Sequence, residues 1–226
     1  MGHTIERRKE AKVPRESQIL AAAFEEFAAN GYSAARLDNI ARRADVAKGT
    51  IYLYFQSKSR LFEAVVRSLI RPIPKDFDSF VRESSVSAGQ LLKDLILRQY
   101  AEVVTNRKAR VILRLLIAES ERFPELSDTY YREVIQPGVR AFHLVIEKGI
   151  ASREFRQSSV RDFPQILAAP AVLAIVWILI LGARAGMDLE AYRAAHLEFI
   201  LSALRNVGTL DTTSLSKLFG YQGGRI

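Results

Sequence analysis

The chain has 226 residues, of which 49% are apolar and 26% charged, the balance of an ordinary globular protein. Its 33 basic side chains outnumber the 25 acidic ones, and residues 1–71 hold 13 of the basic and 8 of the acidic ones. A basic amino-terminal third suits a polyanionic partner. The lack of Cys excludes disulfides and thiolate metal sites. Residues 1–14 lack the apolar core of a signal peptide, so we expect a cytoplasmic protein.

Helix signals begin near the amino terminus. Pro14 and Gly31 frame a first helix, because proline suits a first turn and glycine a helix end. Apolar residues inside it repeat every three or four positions, which predicts one buried stripe. Two short helices are predicted over about 37–44 and 48–55. A fourth begins near Lys58.

The fourth helix should end near Arg71, because Pro72 and Pro74 disfavour helical conformation before them. Longer apolar-striped helices are predicted after it, at about 75–85, 88–105, 107–121, 125–150, 162–185 and 189–207. Pro137-Gly138 should kink or split the 125–150 stretch. No sustained alternation predicts a strand, so the predicted fold class is all-α. We expect a helix-turn-helix head over 1–71 with a flexible arm at 1–14, a larger helical domain over 72–207 and a loosely held tail over 208–226.

The most informative stretch runs from Ile40 to Leu61. Its pattern is that of two short helices joined by a tight turn, with small Ala41 letting the second helix approach closely. Asp45 stands at the turn, where a left-handed backbone is needed, and Asp tolerates that conformation better than most residues. Val46 is expected to fill the core of the turn.

The third predicted helix has two different faces. Ile51 and Phe55, four residues apart, should face inward, while Thr50 and Tyr52 should lie on the outer face. A short helix with such an outer face, inside a basic domain, suits the major groove of DNA.

This stretch strongly resembles the TetR family of transcriptional regulators over roughly residues 15–70. The positions that carry the resemblance are Gly31-Tyr32, Ile40-Ala41, the run Ala44-Asp45-Val46-Ala47-Lys48-Gly49-Thr50-Ile51-Tyr52-Leu53-Tyr54-Phe55, Lys58 and Leu61. Three positions depart from the family pattern: Asp45 replaces the turn glycine, Ala47 a capping serine, and Ala35 a threonine that often opens the second helix. The last two remove hydroxyl groups that cap helices and often contact phosphate, at about 0.5–2 kcal/mol per lost cap.

The resemblance implies a set of DNA contacts. The residues expected to make them are Arg36, Lys48, Gly49, Thr50, Tyr52, Tyr54 and Lys58. Tyr54 and Lys58 are expected to hold phosphates, and Lys48, Thr50 and Tyr52 to approach bases. Without the full motif, the same residues would read as a solvated helix face.

The rest of the chain resembles the carboxy-terminal domain of the AefR-like subgroup, through Phe123-Pro124-Glu125-Leu126, Tyr131-Arg132-Glu133-Val134, Gly149 and Glu154-Phe155-Arg156. The resemblance implies dimerisation through the last two long helices and a small-molecule pocket. Polar groups on otherwise apolar helices are the candidates for that pocket: Arg98, Arg114, Glu119, Tyr131 and Trp177. For any one of them, an interhelical hydrogen bond or a surface position is the simpler reading.

Residues 165–183 form an uncharged stretch that is long enough for a transmembrane candidate. A helix that is apolar all round is equally expected in a large core or a subunit interface, and we prefer that reading to a membrane span. The predicted dimer interface comprises Ile175, Ile178, Leu197, Ile200, Leu201 and Leu204.

No nucleophile elbow, phosphate loop or dinucleotide fingerprint occurs, so neither an enzyme nor a cofactor is expected. His143 and Glu147 share a helix face, but a packed or surface histidine is the better reading than a metal site. We therefore predict a dimeric, ligand-responsive regulator, a repressor that binds a pseudo-palindromic DNA operator and is released by a small molecule. The alternatives are a membrane-anchored regulator that uses residues 165–183, and an all-helical ligand carrier or enzyme with a basic head.

Overall fold

The computed structural model describes residues 14–205, and these form a helical protein, as predicted. The first four helices are α1 (Arg15–Ala34), α2 (Leu37–Arg43), α3 (Lys48–Tyr54) and α4 (Lys58–Leu69). The next are α5 (Phe77–Glu83), α6 (Ala88–Gln99), α7 (Arg107–Glu119) and α8 (Pro124–Tyr130). The last are α9 (Gln136–Ala151), α10 (Ala169–Leu181) and α11 (Leu189–Leu204). The predicted tail, and the predicted arm up to residue 13, lie outside the described residues.

The head forms around a tight turn between α2 and α3. Asp45 has a φ of 53°, which confirms the left-handed conformation predicted for it. The Val46 amide donates a hydrogen bond to the Ala41 carbonyl at 3.0 Å, and the Val46 side chain packs against the head's core. Gly31 also has a positive φ, 76°, and bends the chain near the end of α1.

The core of the head extends into helices that follow it in the chain. Ile112 and Leu116 from α7 and Leu126 from α8 belong to the same buried apolar cluster as Phe27 and Phe62. The head is therefore packed against α7 and α8 rather than suspended on a linker. The predicted boundary at residue 71 stays a prediction.

A second buried cluster joins α5, α6, α9, α10 and α11. A buried polar pair lies within these elements: the Tyr100 hydroxyl is 3.1 Å from His196 Nδ1, and His196 Nε2 is 3.1 Å from the Leu167 carbonyl oxygen. Because a carbonyl can only accept, Nε2 carries the proton and the neutral ring accepts from Tyr100 at Nδ1. Burial lowers the pKa of His196, although the hydrogen bond to Leu167 acts the other way.

Two wider π-helical turns interrupt the long helices, at Tyr100–Val104 and Tyr131–Ile135. The second lies between α8 and α9, directly before Pro137, which is in the first turn of α9. The predicted interruption of the 125–150 stretch therefore exists, and it takes the form of a π-helical turn. Proline lacks an N–H donor and crowds the preceding turn, which a wider turn accommodates.

Among the described residues, the segment Pro164–Leu181 is long and apolar enough to cross a membrane, with a mean hydropathy of 2.3. In the fold, one side of α10 faces the second core through Ala171, Ala174 and Ile175. The opposite side is exposed and apolar, with Ile180 75% exposed. The segment is thus half core helix and half uncovered surface.

Three members of the predicted dimer interface already lie in the protomer's own core, and the interface itself stays a prediction. Ile175, Ile200 and Leu204 are buried within the protomer, at 1%, 4% and 2% exposure. Three others are partly buried against the second core: Ile178, Leu197 and Leu201. Large apolar side chains exposed on these helices are Leu173, Trp177 and Ile180 on α10 and Phe199 on α11. These α10 residues are spaced by four and three positions, which places them on one side of the helix.

Candidate nucleic-acid interface

Helix α3 is anchored by its inner side and open on its outer side. Ile51 and Phe55 are buried, as predicted, and fix the helix against the head's core. Of the residues predicted to contact DNA, Arg36, Lys48 and Gly49 are exposed, Thr50 is half-buried, and Tyr52 and Tyr54 are 49% and 47% exposed. Two tyrosines held half in solvent on one short helix give the outer face both apolar area and hydroxyl groups.

Neither helix of the motif has a capping side chain at its N-cap residue, which is Ala47 for α3, as predicted, but Arg36 instead of Ala35 for α2. A buried carboxylate from α1 accepts hydrogen bonds at the start of α2. Glu26 Oε1 accepts from the Arg36 backbone N–H at 3.2 Å and from Asn39 Nδ2 at 2.9 Å. The start of α2 is therefore held by a contact with α1 instead of a local cap.

The charge of Glu26 is favoured by its surroundings. Burial opposes ionisation, but hydrogen bonds from Asn39, the Arg36 amide and Asn30, with the positive charge of Arg43, hold the pKa of Glu26 below its ordinary value. Sequence reasoning missed this residue. Glu26 lies four positions after Ala22 and three after Ala23, on the apolar stripe of the first helix, and that position was the available signal.

Lys48, at the first position of α3, forms an ion pair with Asp38 of α2. The Lys48 Nζ is 3.1 Å from Asp38 Oδ2, and the two side chains are 48% and 67% exposed. Asp38 was not singled out in the sequence. It places a carboxylate beside a residue that was predicted to approach bases.

Lys58, at the start of α4, already has contacts within the protein. Its Nζ donates to the Ser33 carbonyl at 3.0 Å and lies 4.9 Å from the centre of the Tyr32 ring. Burial lowers the pKa of Lys58, although the Glu119 and Glu26 carboxylates act the other way. The contact with DNA predicted for Lys58 stays a prediction, since the ammonium has two further N–H groups.

Two of the predicted pocket residues form hydrogen bonds with the end of α1. Glu119 accepts from the Tyr32 amide at 2.5 Å and from the Ser33 amide at 2.7 Å, just after the bend at Gly31. Arg114 donates to the Ala28 carbonyl at 2.9 Å. Both side chains lie on α7, so they attach the head to the larger helical region.

The other predicted pocket residues are Arg98, Tyr131 and Trp177. Arg98 bonds to Glu102 at 3.1 Å and to the carbonyls of Arg71 and Pro72. Tyr131 and Trp177 are 56% and 45% exposed. Arg98, Arg114 and Glu119 thus have different hydrogen-bond partners, and the pocket predicted from Arg98, Arg114, Glu119, Tyr131 and Trp177 stays a prediction.

A network of charges joins α4 to the π-helical turn before α9. Glu63, nearly buried, pairs with Arg60 at 2.8 Å, Arg67 at 2.9 Å and Arg132 at 3.0 Å. Glu133 pairs with Arg67 at 2.9 Å and Arg132 at 3.1 Å. The hydrogen bond from Arg67 is the main cause that holds the pKa of Glu133 below its ordinary value. The network is a second attachment of the head.

His143 has no metal-site partners in the described part of the chain. Its Nδ1 lies 3.2 Å from the Arg161 carbonyl oxygen, and Glu147 pairs with the Arg161 side chain. Within residues 14–205, no group of three or more His, Asp or Glu side chains could hold a metal ion.

Comparison with known proteins identifies both parts of the chain. Residues 19–65 match the family model for bacterial regulatory proteins of the tetR family, and residues 90–182 match that of the AefR-like transcriptional repressor carboxy-terminal domain. An uncharacterized HTH-type transcriptional regulator, TtgW of Pseudomonas putida, is 43% identical over 123 residues, which are 50% of this chain and 91% of that protein.

Two further matches extend over most of the chain. The fatty acid metabolism regulator protein of Bacillus subtilis is 24% identical over 197 residues, covering 86% of this chain and 98% of that protein. The crystal structure of FadR from Bacillus subtilis with stearoyl-CoA has a TM-score of 0.62 at 22% identity, covering 84% of this chain and 99% of that one. These proteins are regulators of transcription and metabolism rather than enzymes, and the chain belongs to the TetR family of transcriptional regulators.

Proposed function

We propose that the protein is a cytoplasmic homodimer that represses transcription from a pseudo-palindromic operator and is released by a small molecule. The observation that carries the proposal is the outer face of α3. Its inner residues Ile51 and Phe55 are buried, while Lys48, Tyr52 and Tyr54 are exposed. A helix fixed in this way presents base-reading side chains at constant geometry.

The proposed second subunit covers the exposed apolar side of α10 and α11. Leu173, Trp177, Ile180 and Phe199 expose large apolar side chains on these helices, and Tyr192 ties the helices together by donating to the Pro170 carbonyl at 3.0 Å. Clusters of large exposed apolar side chains on a soluble protein mark interaction surfaces. Pairing with a second copy would cover these side chains and place two α3 helices at a fixed distance, which a two-fold operator requires.

The proposed effector is a small molecule bound by the larger helical region. The FadR structure, which shares the fold, holds stearoyl-CoA. In this chain the head meets α7, α8 and the π-helical turn, so a ligand that shifts these elements would tilt the head. A tenfold loss of operator affinity requires a coupling free energy of about 1.4 kcal/mol. Stearoyl-CoA is the first probe, with coenzyme A alone as its control.

Selection of bound duplexes from a random DNA pool tests the central proposal. The expected consensus is a two-fold repeat with half-sites about 34–36 Å apart, or one helical turn. A consensus without symmetry would contradict a dimeric operator complex. Failure to enrich any sequence would contradict operator binding itself.

Variants of α3 and α4 test which residues contact bases and which contact phosphates. Thr50→Ala and Tyr52→Ala should change the selected sequence, because these residues are proposed to meet base edges. Lys58→Ala should weaken binding to every duplex and lower the slope of log affinity against log salt by about one unit. Since Lys58 also contacts Ser33 and Tyr32, the circular dichroism and thermal melting of the Lys58→Ala protein must be compared with those of the wild type. Unchanged sequence preference and affinity in all three variants would contradict the assignment of this surface.

A further inference from the structure

The ion pair between Asp38 and Lys48 lies on the surface proposed to meet DNA, where a carboxylate is unexpected. From Arg36 to Arg60 the chain carries six basic side chains and two carboxylates, Asp38 and Asp45. Asp45 lines a cleft against α1, together with Arg15 and Arg43. Asp38 is bonded to the first residue of α3 at 3.1 Å.

We propose that Asp38 is a positioning residue that restricts Lys48 to reading bases, and that it thereby sets how strongly the protein prefers its operator over unrelated DNA. This inference rests on the proposed function. An unpaired lysine at this place would neutralise a phosphate in any duplex. Paired with Asp38, it is held over α2 and gains less from a phosphate.

The chemistry of the pair explains the selectivity. A lysine ammonium has three N–H donors, and one of them is occupied by Asp38 Oδ2. The remaining two suffice for the guanine acceptors O6 and N7 in the major groove. A phosphate approaching the same ammonium also meets the Asp38 carboxylate, and the two negative charges repel each other. Unrelated DNA therefore loses a contact that the operator retains.

The exposure of the pair does not weaken this argument. Exposed ion pairs contribute little to folding stability, so Asp38 can be changed without loss of the fold. Selectivity depends on the difference between two DNA complexes, and a small energy in that difference changes occupancy across many competing sites.

The test uses the full chain, the selected operator duplex and an unrelated duplex of the same length. Affinities are measured by fluorescence anisotropy across a series of salt concentrations. Asp38→Asn should raise affinity for the unrelated duplex about three- to fivefold at low salt. It should raise the salt slope for that duplex by about one unit, because Lys48 then neutralises a phosphate. Affinity for the operator should change less, so the ratio of the two affinities falls.

Two further variants separate positioning from net charge. Asp45→Asn removes the same charge from the same head, and Asn also tolerates the left-handed backbone at this turn. It should leave the affinity ratio unchanged. Lys48→Ala should lower the salt slope for unrelated DNA in the Asp38→Asn background but not in the wild type.

Equal changes of both affinities in Asp38→Asn, or none, would overturn the inference. So would an Asp38→Asn effect that persists without Lys48, or the same effect from Asp45→Asn. These outcomes leave the proposed function intact provided that the wild type selects a two-fold operator. If the wild type selects no sequence, the proposed function has failed.

Discussion

At the scale of single residues, the head depends on carboxylates that satisfy backbone groups from a distance. Glu26 holds the start of α2, and Glu119 accepts from two amides after the bend at Gly31. In each case a side chain remote in sequence does the work that a local cap does in other helices. The start of α2 is therefore supported although it has no local side-chain cap.

Replacing Glu26 should destabilise the head. Glu26→Ala leaves the Arg36 amide and the Asn39 side chain without their acceptor, so we expect a loss of about 1–3 kcal/mol in the free energy of unfolding. Glu25→Ala, its exposed neighbour, should change it by less than about 0.5 kcal/mol. Urea denaturation followed by circular dichroism measures both. Equal losses would show that Glu26 has no special role.

The Glu26 carboxylate also predicts an acid dependence. Its pKa in the folded protein lies below the ordinary value of 4.5, so its contribution to stability is complete above that value and is lost as the pH falls through the folded pKa. Glu26→Gln should therefore lose less stability than the wild type when the pH is lowered from neutrality through this range. Parallel losses in the two proteins would contradict the prediction.

At the scale of helices, the accuracy of sequence-based prediction follows the local signals. The first four helices begin and end within about three residues of their predicted bounds, because proline, glycine and the apolar period mark them. The interface predicted on the all-apolar helix includes Ile175, which the protomer itself buries. Where every position is apolar the period carries no information, so nothing in the sequence distinguished Ile175, which faces the core, from Ile180, which faces outward.

The contacts that attach the head to the larger helical region also could not be predicted from the sequence. Arg114 and Glu119 were predicted to line a pocket, because a polar residue on an apolar helix indicates a buried partner without naming it. The partner here is the backbone of α1, far away in the chain. Asp45, by contrast, was predicted correctly, since its conformation depends only on the local turn.

The network between α4 and the π-helical turn makes a prediction at this scale. Glu63→Ala leaves Arg60, Arg67 and Arg132 without the carboxylate they share, so the free energy of unfolding should fall by about 1–3 kcal/mol. The difference from wild type should shrink in about 1 M salt, where counterions screen the arginines. Glu190→Ala, which breaks an exposed pair with Arg193, should cost less than about 0.5 kcal/mol. Thermal melting at low and high salt measures these effects, and equal losses from Glu63→Ala and Glu190→Ala would contradict the role given to the network.

At the scale of the whole molecule, residues 14–205 contain two buried clusters, and α10 and α11 carry large exposed apolar side chains. The first cluster holds the head and its supports, and the second holds α10 and α11 in place. The exposed side chains lie on helices of the second cluster. The proposed dimer interface and the proposed DNA surface therefore lie on different parts of the molecule, which allows each to be disrupted separately.

The proposed dimer makes the last prediction. Ile180→Asp and Phe199→Asp place a charge at positions that are 75% and 70% exposed in the protomer. Each should therefore weaken the free energy of dimerisation by at least about 2 kcal/mol while the protomer stays folded. Operator affinity should fall with them, because one head then binds one half-site. Ile117→Asp, at a 66% exposed isoleucine on α7, is the matched control and should leave the dimer intact.

Ile175→Ala separates core from interface. Because Ile175 is buried in the protomer, this change should lower the free energy of unfolding by about 2–5 kcal/mol without changing the mass of the native particle. Light scattering on the folded variants gives the mass, and denaturation gives the stability. A wild-type protein that is monomeric at micromolar concentration would contradict the proposed dimer. A dimer that survives Ile180→Asp and Phe199→Asp but dissociates in Ile117→Asp would move the interface from α10 and α11 to the face of α7.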